Sequence, residues 1–164
     1  MTEQEIHFKH IYQENYPKVM RLCMGYVGGN KELADDLTQE VFIKTWNNLK
    51  TFRQESNITT WIYRIAVNTC LMNLRKRKRN QPLVAVDSHE ISDGSDATEG
   101  KERQYQEMYR CIDTLSVTNK AIILMELEGL AQKDIAKVIG LKHEAIRTRI
   151  HRIKMQLSKC VEHE

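Results

Sequence analysis

Residues 132–157 read QKDIAKVIGLKHEAIRTRIHRIKMQL, and the spacing of their apolar side chains decides the fold. In the first half, Ile135, Val138 and Ile139 form a short apolar face. Ala136 is small enough for a second helix to cross close by, and Gly140 permits the backbone conformation that a tight interhelical turn needs. In the second half, Ile146, Ile150, Ile153 and Leu157 recur at helical spacing and must face a core. The opposite side presents Lys142, His143, Glu144, Arg147, Thr148 and His151, flanked by Arg149 and Arg152. Apolar anchoring behind and hydrogen-bond donors in front are what a helix-turn-helix needs to read base edges and hold phosphates. The plainer reading of this segment alone is a solvated basic helix on a bundle.

Working outward, helices are expected over about Arg103–Asp113, Val117–Leu127, Gln132–Ile139 and Lys142–Lys159, bounded by Ser116, Gly129 and Gly140. Upstream, Asn80–Gly100 (NQPLVAVDSHEISDGSDATEG) mixes Pro, Gly, Ser and Asp with little helical period and reads as a linker. Before it come three more helices. Glu3–Val27 is ended by GYVGGN. A second runs from an Asn30 cap to Leu49. The third runs from an Asn57 cap into the basic run, with Ile58, Ile62, Ile65, Thr69 and Met72 as its buried stripe. The expected fold is therefore all-α: two small helical domains, 1–79 and 103–164, joined by an acidic linker over 80–102, the second domain a helix-turn-helix. Composition agrees, with only seven Gly and two Pro in 164 residues.

Net charge is only +3, but it is unevenly placed. Basic groups outnumber acidic ones by 13 to 8 over residues 1–79 and by 10 to 8 over 104–164, whereas the bridge between carries 2 and 6. Local fields of this kind, not the total, decide what a protein attracts. No apolar run approaches the roughly 18 residues that cross a bilayer, and the polar start MTEQEIHFKH is unlike a signal peptide, so a cytoplasmic location is expected. Cys23, Cys70, Cys111 and Cys160 form no CxxC pair. They are read as small apolar residues, with no disulfide framework and no zinc site. No nucleophile with a base, metal-ligand cluster or glycine-rich phosphate loop is present, and His7 and His10 read as a surface pair. The expectation is a protein that is not an enzyme, with no catalytic residue, metal, cofactor or small-molecule substrate.

Two further stretches carry signal. In WIYRIAVNTCLMNLRKRKR, residues 61–79, Thr60, Arg64, Asn68 and Arg75 share a face, with Trp61 and Tyr63 beside it and five cations, Arg75, Lys76, Arg77, Lys78 and Arg79, at the end. Rings, amides and cations on one surface suit unstacked single-stranded bases; the cations also favour a helix C-terminus. In ADDLTQEVFIKTW, residues 34–46, the polar side chains Asp35, Asp36, Gln39 and Glu40 stand beside Phe42 and Trp46. That is either a solvated flank or a protein-docking face built round large aromatics.

Taken in order, DDLTQEVFIKTW, TTWIYRIAVNTCLMNLRKRKR, the linker and IDTLSVTNKAIILMELEGLAQKDIAKVIGLKHEAIRTRIHRIKMQL resemble the extracytoplasmic-function (ECF) sigma factors of bacterial RNA polymerase over about residues 5–160. The resemblance implies a subunit that binds core RNA polymerase, recognises promoter -10 and -35 elements and initiates transcription. It implies that Asp35, Asp36, Gln39, Glu40, Phe42, Lys44 and Trp46 belong to the helix docking on the polymerase's largest subunit. Thr60, Trp61, Tyr63, Arg64 and Asn68 would meet the melted -10 element, and Arg75 to Arg79 the adjacent backbone. Lys142, His143, Arg147, Thr148, Arg149, His151 and Arg152 would meet the duplex -35 element. An anti-sigma factor is a common partner in the family. The chain departs from the family at Ala131, where a capping Ser or Thr is usual, and at Lys142, Glu144 and Ala145, where the recognition helix usually opens with smaller polar residues. The -35 preference is therefore not carried over. The alternative, a stand-alone helix-turn-helix regulator, leaves the two upstream stretches without a role.

Overall fold

A computed structural model describes residues 1–80 and 96–162. The core of the predicted linker, 81–95, lies outside the described residues, as do the side chains of Lys78 and Arg79. Among the described residues seven α-helices follow one another: α1 (Glu3–Tyr26), α2 (Lys31–Asn48), α3 (Ile58–Asn80), α4 (Asp96–Asp113), α5 (Val117–Leu127), α6 (Gln132–Ile139) and α7 (His143–Glu162), with one 3-10 turn at Leu49–Thr51.

Local chemistry starts and stops these helices. Thr2 and Glu5 form a reciprocal capping box at α1. The Asn30 side chain accepts from the Leu33 amide at 3.2 Å, Asn57 from the Thr59 amide at 2.9 Å, and Ser116 from the Asn119 amide at 3.2 Å. Each satisfies a donor the first turn leaves free. Gly140 ends α6 in the left-handed conformation, φ +82°, and its amide bonds the Ala136 carbonyl at 2.8 Å. At α6 the N-cap is Ala131, with no side-chain hydrogen bond.

α1, α2 and α3 pack as a three-helix unit round Ile11, Val19, Leu22, Leu37, Val41, Phe42, Ile62 and Ala66. Asn15, buried on α1, donates to the Ile11 carbonyl and accepts from the Thr59 hydroxyl at 3.1 Å, tying the start of α3 to α1. In the second unit α5 is central: Ala121 through Met125 are all buried, as expected of a helix apolar all round. Its buried Lys120 is paired with Asp113 at 2.7 Å.

Three expectations need correction. Met72, placed in the buried stripe of α3, is 52% exposed, whereas Thr60, Tyr63, Val67 and Cys70 add a second buried stripe. Part of that stripe faces α1, where Cys70 meets Cys23, and the two units also pack on each other, α1 against α4 and α5, α3 against α5 and α6. Next, α4 begins at Asp96 and not near Arg103. Finally, Cys111 and Cys160 form a disulfide across α4 and α7. Sequence distance concealed it, for the two residues lie 49 apart in a chain whose helices bring their Cα atoms to 5.9 Å. Cys23 and Cys70 do behave as small core residues, buried with their sulfurs 3.8 Å apart.

Candidate polymerase and nucleic-acid interfaces

The α6–α7 pair holds its exposed face by burying the other. Ile135 and Ala136 on α6, and Ile146, Ile150 and Ile153 on α7, are buried against α5. Lys142, just before α7, and His143, Arg147, Thr148, His151 and Arg152 along its first half are thereby left in solvent. Arg149 differs from these: it is half-buried and donates to Asn119 Oδ1 at 3.2 Å, so it braces α7 on α5. The Thr148 hydroxyl is turned to the Glu144 carbonyl at 3.1 Å. Donors spread along one helix, anchored by isoleucines behind, can reach base edges and phosphates of a duplex major groove.

On α3 the predicted face is divided. Arg64, Asn68, Arg75 and Lys76 are exposed, and Arg77 is half-buried. Trp61 is half-buried against Phe52, ring centroids 4.9 Å apart. Thr60 and Tyr63, each 2% exposed, are covered. Tyr63 lies in a polar cleft shared with Lys18, Thr59, Glu128 and Asp134. Among the described residues its hydroxyl has no hydrogen-bond partner. Burial raises its pKa, the charge of Glu128 adding to the shift and Arg21 opposing it. Even Arg64 is engaged, donating to the Lys137 carbonyl of α6 at 3.3 Å.

The α2 face is ordered by aromatic rings that sequence reasoning missed. Phe8, Tyr12 and Tyr16 step along α1 at intervals of four, the signal that could have revealed them. Phe8 meets Trp46 edge-on at 5.1 Å, and Tyr12 meets Phe42 at 4.8 Å. Phe42 is 3% exposed and so supports this face from beneath. Trp46 and the unpredicted Ile43, 36% and 61% exposed, present apolar surface on it. Asp36, Gln39 and Glu40 are exposed, whereas Asp35 accepts from the Tyr16 hydroxyl at 3.0 Å. That bond raises the Tyr16 pKa. Lys44 reaches both Glu40 at 3.3 Å and the Thr69 hydroxyl at 3.2 Å, joining α2 to α3. Among the described residues no cluster of metal-ligating side chains occurs, and no helix is long and apolar enough to cross a membrane.

Comparison with known proteins gives this arrangement a family. Residues 11–80 match Sigma-70 region 2 and residues 105–157 match Sigma-70 region 4. The chain is 32% identical over 159 residues to the RNA polymerase sigma-H factor of Pseudomonas aeruginosa, covering 88% of this chain and 81% of that one. It is 33% identical over 157 residues to the ECF RNA polymerase sigma-E factor of Haemophilus influenzae, covering 88% and 82%. Two solved structures share the fold. The sigma factor RpoE of Bartonella quintana, in complex with the anti-sigma factor NepR, has a TM-score of 0.75 at 22% identity, covering 95% of this chain and 97% of that one. CnrH in complex with the cytosolic domain of CnrY has a TM-score of 0.73 at 18% identity, covering 98% and 90%. With both sigma regions in order on the unit carrying the α2 and α3 faces and the unit carrying α7, the chain belongs to the ECF sigma factors of RNA polymerase.

Proposed function

We propose a division of labour for this RNA polymerase sigma factor in which residues 1–79 dock on core polymerase and capture the -10 element, residues 80–102 connect, and residues 103–164 read the -35 element. Core polymerase is held by the surface of Asp36, Gln39, Glu40, Ile43 and Trp46, with Phe42, Asp35 and Lys44 fixing it from behind. The melted non-template strand follows Arg64, Asn68, Arg75 and Lys76, with Thr60, Trp61 and Tyr63 receiving bases. Capture of bases that have left the stack offsets an unstacking cost of about a few kcal/mol each, so binding here drives opening. The -35 duplex meets Lys142, His143, Arg147, Thr148, His151 and Arg152.

The observation that carries this reading is the pair of separate exposed donor rows, one on α3 and one on α7, each backed by its own buried stripe. Run-off transcription by core polymerase on a selected promoter pool, with and without the chain, tests it. Initiation that depends on the chain, lost with substitutions on either row, is the expected outcome; initiation indifferent to both rows excludes the assignment. The protein acts in the cytoplasm and performs no chemistry of its own on this reading. The polymerase supplies the catalysis.

A further inference from the structure

Between Lys142 and Leu157 the chain carries a single acid, Glu144, against five Lys and Arg. It is the second residue of α7 and is exposed. At about 100° of rotation per residue, Glu144, Thr148 and His151 fall on one stripe, roughly opposite the buried Ile146, Ile150 and Ile153. Arg147 and Arg152 stand roughly 70° to either side of that stripe. The outward stripe of a helix anchored in this way enters a duplex groove deepest, and the residues at its N-terminal end are the ones that meet base edges. Glu144 holds both places. The Ile146 amide donates to the Lys142 carbonyl at 3.1 Å and the Thr148 hydroxyl to the Glu144 carbonyl at 3.1 Å, so the backbone beneath it is helical from the first turn. Among the described residues its carboxylate has neither an ion pair nor a hydrogen-bond partner.

A carboxylate in this place is unfavourable towards most of a duplex. It repels the phosphates that the neighbouring cations attract, and it accepts hydrogen bonds but donates none. In the major groove guanine offers only its N7 and O6 acceptors, and thymine its O4 acceptor and methyl group. Adenine sets an N6 donor beside an N7 acceptor. Cytosine alone offers a donor, the N4 amino group, with no acceptor next to it. The positive end of the helix dipole favours an acid anywhere in the first turn and does not select the outward stripe. We infer that Glu144 is a specificity-determining residue: at one position of the -35 element it accepts from the N4 amino group of cytosine, and it rejects guanine and thymine there. This rests on the -35 reading of α7. Attraction and rejection act together, so the repulsion that weakens binding to every duplex is offset only where cytosine lies beneath Glu144. Phosphate contacts by the cations of the row position the helix on any sequence; Glu144 makes its binding selective.

The test uses holoenzyme assembled from core polymerase and the full chain as wild type, Glu144→Gln, Glu144→Ala and Arg147→Ala. Promoters bound from a pool randomised over the -35 element are sequenced, and competition between duplexes that differ in one base pair gives relative affinities. Wild type should prefer cytosine at one position about tenfold over guanine and thymine. Glu144→Gln should move that preference to adenine, whose N6 and N7 match the amide, and leave the other positions as they were. Glu144→Ala should lose the preference at that position alone and bind random duplex about threefold more tightly, since a repulsion is gone. A wild type with no cytosine preference anywhere in the element overturns the inference. So do Glu144 variants that keep the wild-type preference at every position, or that lose preference evenly across the element, as an acid serving only to stabilise the helix would. Arg147→Ala separates the two failures. If it relaxes -35 preference while both Glu144 variants leave it unchanged, the -35 reading stands and the role of Glu144 falls; if none of the three variants alters preference, the -35 reading itself fails.

Discussion

Cys111 on α4 and Cys160 on α7 are joined by a disulfide that closes a loop over most of the second unit, including the whole helix-turn-helix. A cross-link over 49 residues removes freedom chiefly from the unfolded chain and is worth about 2–4 kcal/mol. Reduction, or Cys160→Ser, should therefore lower the unfolding free energy of α4–α7 in a urea titration by that amount, moving the midpoint to lower urea, while leaving α1–α3 little changed. Cys23 and Cys70 are the internal control. Both are buried, and Cys70 is held well above the usual thiol range by its bond to Cys23 and by burial. A thiol reagent should find no reactive thiol in the native oxidised chain and two after denaturation; four after denaturation would show that the cross-link is absent.

Tyr26 packs its ring in the first core with no hydrogen-bond partner for its hydroxyl among the described residues. Burial, with smaller contributions from the neighbouring Cys70 and Cys23, raises its pKa well above the ordinary value. The folded state therefore keeps the phenol neutral while the unfolded chain ionises at about pH 10. The stability linked to this group is whole below that pH and is lost as pH rises further, by about 1.4 kcal/mol per unit. Tyr26→Phe should be neutral or stabilising by about 1 kcal/mol at pH 8, since the orphan donor goes. Its advantage over wild type should widen by the same slope above pH 10. Urea titrations at pH 8 and pH 11 measure both quantities, and a variant less stable than wild type at both would mean that the hydroxyl is partnered in solution.

How far sequence reasoning reached depends on how local each determinant is. The bounds of α5 and α6 were legible to the residue because Ser116 and Gly140 act on the turn they occupy. The row of donors on α7 was legible because Ile146, Ile150 and Ile153 fix the opposite face. On α3 two stripes share the helical period, and Tyr63 and Val67 belong to the one that the apolar run of Ile58, Ile62 and Ile65 does not single out; spacing cannot say that both are covered. Phe42, placed beside Trp46 on the docking helix by the resemblance, is one residue past the buried Val41 and falls under the Tyr12 ring. The disulfide and the Arg21–Glu128 pair depend on how the helices are arranged, which spacing along the chain cannot give.

The edge-on contact of Phe8 with Trp46 makes a further prediction about docking. Trp46 is the exposed ring that α2 itself contributes to this face, and a pair of this geometry is worth about 0.5–1.5 kcal/mol beyond area burial. If Trp46 anchors core polymerase, Trp46→Ala should cost about 2 kcal/mol of binding, a hot-spot value. Phe8→Leu, which keeps apolar volume and loses the ring, should weaken core binding about three- to tenfold by loosening Trp46. Competition for core measured by anisotropy reads both. Phe42→Ala is the contrasting case. It should lose about 3–5 kcal/mol of folding stability, so any loss of binding there follows unfolding and says nothing of contact.

On the proposed division of labour, Arg147 and Trp61 separate the two steps of promoter use. Arg147 is exposed on the recognition row, where a side chain bidentate to a base carries about 1–3 kcal/mol of discrimination. Arg147→Ala should weaken closed-complex binding by that amount and relax preference at one or two -35 positions, scored by sequencing promoters bound from a random pool. Trp61 rests half-buried on Phe52, away from the -35 row. Trp61→Ala should therefore leave closed-complex affinity within about twofold, because only base capture uses the ring, while reducing the permanganate reactivity of unpaired thymines in the -10 element. Equal losses in both assays for both variants would mean that binding and opening are not divided between α7 and α3.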